Sequence, residues 1–573
     1  MRLLAHCAIG AVFVALAACS PKPAEPAKAA DATPAEPTAP VGAVLATTPE
    51  ITAADLAARD KEISDDKYEG RGPGTVAGEA SAQWIADEMK RIGLEPAVNG
   101  SYFQTVDMVA QTVIPDKSSF SVATGDGGTI NFDYGKQVVY NTKHQAEQTV
   151  SVKDSDLIFV GYGVNAPEAH WNDYAGVDVK GKTVVMFFND PGFATHDDKL
   201  FNGKAMTYYG RWTYKFEEAA REGAAAAIII HETEPAAYGW NVVEQSWTGE
   251  QADLVRDDGG ASRSALEGIV SLDKGKEMFA KAGLDFDALK LAANKPGFKA
   301  VPMTGLKLNA TITQTIAHRQ SRNVAGTIKG TEHPDEHFLF TAHWDHLGKK
   351  DVPAGQDGIN NGAIDNGSGV ATILEIAEKM AHDPAPKRSV TFLSVTLEES
   401  GLLGSEYFAA HPFIPLNKIV GGINVDALQE AGPAKDMIVI GSGAQDLEDM
   451  LKDVLAKQGR TTSPDPTPEK GSFYRSDHIS LAKVGVPMLD LKAGTDLVKG
   501  GKEAGQAYEE DYIKDRYHQV SDEYNPDWDW SGDVEDAKAM AELATEVANS
   551  DKWPNWYKGN EFRAIRDASM KGK

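Results

Sequence analysis

Four short stretches carry residues that could hold a metal and move a proton. "FLFTAHWDHLG" supplies His343 and Asp345, and "IDNGSG" supplies Asp365. "TLEES" supplies the adjacent pair Glu398 and Glu399, and "INVDAL" supplies Asp426. Imidazole and several carboxylates, with no cysteine among them, suit zinc held by mixed nitrogen and oxygen ligands. A carboxylate such as Asp365 can bridge two metals through its two oxygens. Asp345, two residues from His343, could accept the other ring N–H and orient the imidazole. Two adjacent glutamates allow one to bind metal while the other handles protons. Taken singly, each stretch has an ordinary explanation: a surface pair, a solvated loop, a helix cap. Their order along the chain argues otherwise.

The elements that must position them can be read from periodicity. His337–Thr341, Val390–Val395, Ile419–Val425, Met437–Ile440 and Val486–Leu491 are short apolar or β-branched runs. Helical stretches, including Val370–His382 and Gln445–Lys457, lie between them. This alternation predicts an α/β domain with a largely parallel sheet covered by helices. The acidic and imidazole clusters fall where the first three runs end. Ligand sites in open α/β sheets lie outside the carboxyl ends of strands, so the clusters should converge. The Asp365–Gly369 stretch adds a fourth, just before a helix, where glycine permits tight turns. Glu79 to Ile92 reads as an amphipathic helix with Ala82, Ile85, Met89 and Ile92 on one face, Trp84 at its flank and Gly93 as its stop. Asp533 to Ala548 reads as a closing helix with Asp533 as its cap.

The order His-x-Asp, Gly-x-x-Asp-Asn-x-Ser-Gly, Glu-Glu, Asn-x-Asp and a late Tyr-His resembles the M28 family of zinc peptidases. The resemblance covers roughly residues 50–550. It implies a phosphorylase/hydrolase-like α/β/α sandwich. It implies His343, Asp365, Glu399, Asp426 and His518 as ligands of two zinc ions, with Asp365 bridging. Glu398 matches the general base, and Tyr517 a tyrosine that helps stabilise the tetrahedral intermediate. For the last ligand His478 competes with His518. The family's final ligand sits in a Tyr-His motif followed shortly by an acidic residue, here Asp522, which favours His518. His478 is then a structural or pocket residue, and Arg475, Asp477 and His478 are candidates to touch substrate. His346, His382 and His411 are read as surface or core residues. Trp344 replaces the usual aromatic Tyr, and Ile364 stands where an Asp is common; neither removes a ligand.

The expected activity is removal of residues from a peptide end, with an aminopeptidase first. A carboxypeptidase-like enzyme, a glutaminyl cyclase and a non-catalytic surface binding protein are the alternatives. A carboxypeptidase reading needs a basic group for the substrate carboxylate, for which Arg475 is the candidate.

The rest of the chain frames this domain. "GYGV…DYAGVDVKGKTVVMFF…EEAAREGAAAAIII" resembles a protease-associated domain, which places a β-rich insertion at residues 111–315, between peptidase segments 50–110 and 316–573. The chain has 573 residues, 57 Lys+Arg against 84 Asp+Glu, and a formal net charge of −27. That balance disfavours nucleic acid, whose phosphates need Lys and Arg. Its two cysteines lie within the first 20 residues. The basic start and the apolar run to Ala18 read as a secretion signal over residues 1–19, too short to span a bilayer comfortably. Leu16-Ala17-Ala18-Cys19 resembles a bacterial lipobox, with Cys19 lipidated and Ser20 directing it to the outer membrane. Residues 20–49, rich in Pro and Ala, read as a tether. The expected setting is a periplasm-facing lipoprotein or a periplasmic enzyme, in contact with membrane through the lipid anchor alone.

Overall fold

The computed structural model describes residues 39–571, except Asp198. The signal segment, Cys19 and residues 20–38 lie outside them. Among the described residues, no helix is long and apolar enough to cross a membrane.

The chain forms a mixed α/β structure. Its centre is four parallel strands in the order Arg388–Val395, His333–His343, Ile419–Val425 and Met488–Ala493. The borders are antiparallel: Asp436–Ile440 pairs with Met488–Ala493, and Val301–Ile328 pairs with Arg388–Val395. The expectation of a largely parallel sheet therefore holds at the centre and fails at both borders. Apolar runs bounded by turns show that a strand is buried, but not which way its neighbour runs.

Side chains alternate across this sheet and bury two faces. Phe338, Phe340, Ala342, Val390 and Phe392 pack on one face against the helices Val76–Arg91, Gly369–His382 and Ser531–Ala548. Leu339, Leu393, Ile419 and Met488 pack on the other against Phe408 and Leu481. Phe340 and Phe392 stack with ring centroids 5.1 Å apart. All four residues expected on one face of the Val76–Arg91 helix, and Trp84 at its flank, are buried in the same cluster. Asp533 differs from expectation. The closing helix begins at Ser531 with Trp530 as its cap, so Asp533 falls in the first turn, buried, with both carboxylate oxygens unpartnered. A helix start one turn earlier moves a would-be cap inside.

Val301–Ile328 is a spine of 28 residues. Its first half pairs with Thr149–Phe159 and Ser119–Ala123, and its second half with Phe103–Val113 and Arg388–Val395. Thr149–Phe159, Thr183–Phe187, Ala226–Ile230 and Leu266–Val270 run parallel in that order and carry two cores of their own. The described end of the Pro/Ala-rich segment is held to the folded part: Trp84 Nε1 donates to Ala43 O at 3.0 Å and Thr47 Oγ1 to Glu378 at 2.6 Å.

The Phe340–Phe392 stack sits under the strands that end at the site. Phe392→Ala should destabilise the protein by about 3–5 kcal/mol, as large-to-small core changes do. Denaturant unfolding checks this, with the loss appearing as a lowered midpoint.

Candidate metal centre

Register brings the clusters together. His343 lies opposite Val395, and Thr341 opposite Asn424. Glu398, Glu399 and Asp426 therefore emerge just past the same edge as His343. His343 Nε2 lies 3.2 Å from Asp365 Oδ1 and 3.4 Å from Asp426 Oδ1. His518 Nε2 lies 3.3 Å from Asp365 Oδ2 and 3.2 Å from Glu399 Oε2. The two oxygens of Asp365 thus face two different imidazoles. His478 is elsewhere: it is buried, packs edge-on to Phe473 at 4.8 Å, and its nearest carboxylate is Asp490 at 3.7 Å.

The residues around Asp365 explain its motif. Asn366 Nδ2 donates to Val425 O at 2.9 Å, while its Oδ1 accepts from Gly369 N and Ala427 N, each at 3.0 Å. Ser368 Oγ accepts from Leu428 N at 3.1 Å. These bonds lock the Asp365 loop to the strand end that carries Asp426. A Cβ on Gly369 would come within 2.1 Å of Asn366 Oδ1, so glycine is needed there. Asp522 accepts from Ile364 N and Asp365 N, both at 3.1 Å. Buried Arg71 donates to the carbonyls of Trp344 at 2.7 Å and Gly362 at 2.8 Å, tying the His343 strand end to the same loop.

Two sequence readings are corrected here. Asp345 does not orient His343 through its carboxylate. His343 Nδ1 faces the Asp345 main-chain oxygen at 3.1 Å, whereas the carboxylate is 3.9 Å away. That carboxylate instead accepts from the backbone N–H of Glu398 at 3.1 Å and Glu399 at 3.4 Å, so it holds the acidic pair. Two residues along a strand end, backbone and side chain compete for one ring nitrogen, and the backbone is nearer. His346 is not a bystander in surface or core: it is buried and its Nδ1 lies 2.6 Å from Glu399 Oε1. Its signal was its place three residues after His343, in the same strand-end loop. By contrast, His382 bonds its own helix, Nδ1 to Glu378 O at 2.9 Å, and His411 stacks on Tyr407 at 4.5 Å.

The electrostatics favour positive charge. Burial opposes a charged His343, yet Glu398, Asp365 and Asp426 hold its pKa well above the ordinary value. His518 is raised likewise, against burial, chiefly by Glu399. Burial pushes Glu399 up, but His518 and then His346 outweigh it and hold the carboxyl at about 2. Burial raises Glu398 well above the usual range; His343 opposes this, and Asp426 and Glu399 add to it. Lys492, which periodicity gave no reason to single out, donates to the Asp426 main-chain oxygen.

The donor set fits metal. Among the described residues, His343, Asp365 and Asp426 form one group able to hold an ion, and His346, Asp365 and Glu399 form another, the ligand atoms of each lying within 4.8 Å of one another. Nitrogen and oxygen donors without thiolate are the ligands of a hydrolytic zinc site. Tyr517 stacks on His518 with centroids 3.9 Å apart and is 42% exposed. Arg475 is half-buried, with its Cζ 5.9 Å from the Tyr238 ring centroid.

Residues 323–542, which contain every one of these proposed ligands, match the sequence model of peptidase family M28. A probable zinc metalloprotease of Pyrenophora teres is 40% identical over 86 residues, covering 15% of this chain and 18% of that protein. The chain thus spans about a fifth of that relative. A probable lipoprotein aminopeptidase of Mycobacterium tuberculosis, LpqL, is 26% identical over 391 residues, covering 63% of this chain and 67% of that protein. Among solved structures, an aminopeptidase from an Aneurinibacillus strain aligns with TM-score 0.47 and 17% identity over 87% of this chain and 94% of its own.

The competing histidines separate by metal content. His518→Ala should lower the zinc retained after dialysis by about half, going by a two-metal template. His478→Ala should leave it at the wild-type level. Metal analysis of the two purified variants checks both.

Proposed function

We propose that this chain is a zinc-dependent exopeptidase with two metals per chain, most simply an aminopeptidase. One observation carries the reading: Asp365 turns its two oxygens toward two separate donor groups, with Glu398 beside them. His343 and Asp426 would hold one zinc, Glu399 and His518 the other, and Asp365 would bridge. The match of residues 323–542 to an M28 model and the relatives named as a zinc metalloprotease and an aminopeptidase support it.

Bound zinc would lower the pKa of a water and polarise the scissile carbonyl. The protein supplies the proton chemistry and the alignment. Glu398 takes the proton of the attacking water and passes it to the leaving amine. Burial raises the proton affinity of its carboxylate, which suits a group that must take the proton before passing it on. Asp345 fixes the backbone of Glu398 and Glu399 through two N–H bonds, so base and ligand keep one spacing. Tyr517, whose ring stacks on His518, would donate to the oxyanion that develops. Asp522, Asn366 and Arg71 keep the bridging loop in register with the strand ends.

The same proposal includes the insertion as a protease-associated domain, the lipid on Cys19 and a periplasm-facing location; these rest on sequence pattern. The substrate is a peptide.

Glu398→Gln should lower turnover by at least about 10²–10⁴-fold, the usual worth of a positioned acid–base group, while zinc stays bound. Near-normal activity would remove its assigned role. A panel of peptides with free, N-blocked and C-blocked ends tests the exopeptidase type. Cleavage that requires a free amino end is the expected result, and cleavage that requires a free carboxyl end would replace aminopeptidase with carboxypeptidase.

A further inference from the structure

Beneath the metal centre, one side chain ties together three strands that lead to it. His333–His343, Ile419–Val425 and Met488–Ala493 run parallel, with Ile419–Val425 in the middle, and register sets Asn424 opposite both Thr341 and Asp490. Residues two apart on a strand share a face. Toward the C-terminal edge the three strands therefore read Thr341 then His343, Asn424 then Asp426, and Asp490 then Lys492. The second residues of these pairs meet at the site. His343 Nε2 lies 3.4 Å from Asp426 Oδ1, and Lys492 Nζ donates to the Asp426 main-chain oxygen. The first residues meet through Asn424. Its Oδ1 accepts from Thr341 Oγ1 at 2.6 Å, and its Nδ2 donates to Asp490 Oδ1 at 3.2 Å. Nδ2 also donates to Ser476 Oγ at 2.8 Å.

Burial alone does not call for this polar row. Thr341, Asn424 and Asp490 are all buried, and Thr341 and Asp490 share a face with Leu339 and Met488, which pack in an apolar core with Phe408 and Leu481. A polar group withdrawn from water costs free energy until it is bonded, and apolar groups of the same shape would fill the space as well. What an amide adds is direction. Its oxygen and nitrogen diverge in one plane, and hydrogen bonds weaken steeply when bent. Bonds to both neighbours at once therefore fix the sideways spacing and the register of all three strands. A metal held by ligands from separate strands depends on that spacing, and groups behind the ligands set it.

We propose that Asn424 is a positioning residue, which holds the strands of His343 and Asp426 at the spacing that one zinc ion needs. This rests on the reading of His343 and Asp426 as ligands of one zinc. Thr341 is its partner in that role, because the Thr341 hydroxyl links Asn424 to the strand of His343. The ion at Glu399 and His518 lies outside the reach of these bonds and is held by the Asp345 and Asp522 contacts instead.

The full chain, loaded with zinc and titrated with a chelator, tests this, with a denaturant midpoint measured for each protein. Asn424→Ala and Thr341→Val should each weaken one of the two zinc ions about tenfold or more, the usual effect of removing a group that holds a metal ligand in place. The other ion should keep its wild-type affinity. Thr341→Ser, which keeps the hydroxyl and drops the methyl, should bind both ions as the wild type does. Wild-type zinc affinity in Thr341→Val or in Asn424→Ala, whatever the change in midpoint, overturns the role. Equal weakening of both ions overturns it too, as does a loss in Thr341→Ser equal to that in Thr341→Val, because each marks a general loosening of the fold. Thr341→Val keeps the shape of the side chain and decides the question even if Asn424→Ala does not fold. A wild type that retains no zinc overturns the metal reading and this role with it, whereas a zinc-loaded wild type whose variants match it overturns the role alone.

Discussion

Asp345, Asp365, Glu398, Glu399 and Asp426 are drawn to one edge of a sheet, and that crowding is the constraint on which the rest of the structure depends. Carboxylates taken from water repel one another and lose hydration, so they persist only where positive charge and donors answer them. The answer here is layered. Imidazoles of His343, His346 and His518 face the innermost oxygens. Backbone N–H groups of Ile364, Asp365, Glu398 and Glu399 are held by Asp522 and Asp345. Arg71 and Lys492 add positive charge through contacts to main-chain carbonyls. A donor set that raises two imidazoles against their own burial is one that prefers cations.

The sheet makes such crowding possible. Parallel strands deliver their C-terminal ends to one edge, so residues far apart in sequence arrive within a few ångströms. Helices on both faces bury the apolar sides and leave that edge free. The long strand Val301–Ile328 pairs with Arg388–Val395 of the central sheet and with Thr149–Phe159 at once. The strands around Thr149–Phe159 are therefore joined to the central sheet by continuous backbone pairing.

Much of the fold was legible in local pattern. The run Ile419–Val425 is a strand with those bounds, and the helix expected at Val370–His382 starts one residue earlier. These elements are long, periodic and bounded by turn residues, so local chemistry and tertiary packing agree. Asp533 shows the limit. An acidic residue near a helix start is a cap or an interior residue according to a shift of three positions, and packing of the whole helix sets that shift. Strand direction at the borders was also beyond local pattern, since an apolar run is the same in either direction.

The sequence by itself determined the chemical inventory of the site: which imidazoles and carboxylates exist, their order, and their place at strand ends. That follows because strand and helix periods are local, and the residue after an apolar run is carried to the sheet edge. The tertiary structure alone decided which of them meet. It put His518 rather than His478 beside Asp365, turned the Asp345 carboxylate from an imidazole to two backbone N–H groups, and brought His346 onto Glu399. Each of these is a contact across a long stretch of chain or a choice between two acceptors in one loop, and such choices are settled by register and packing.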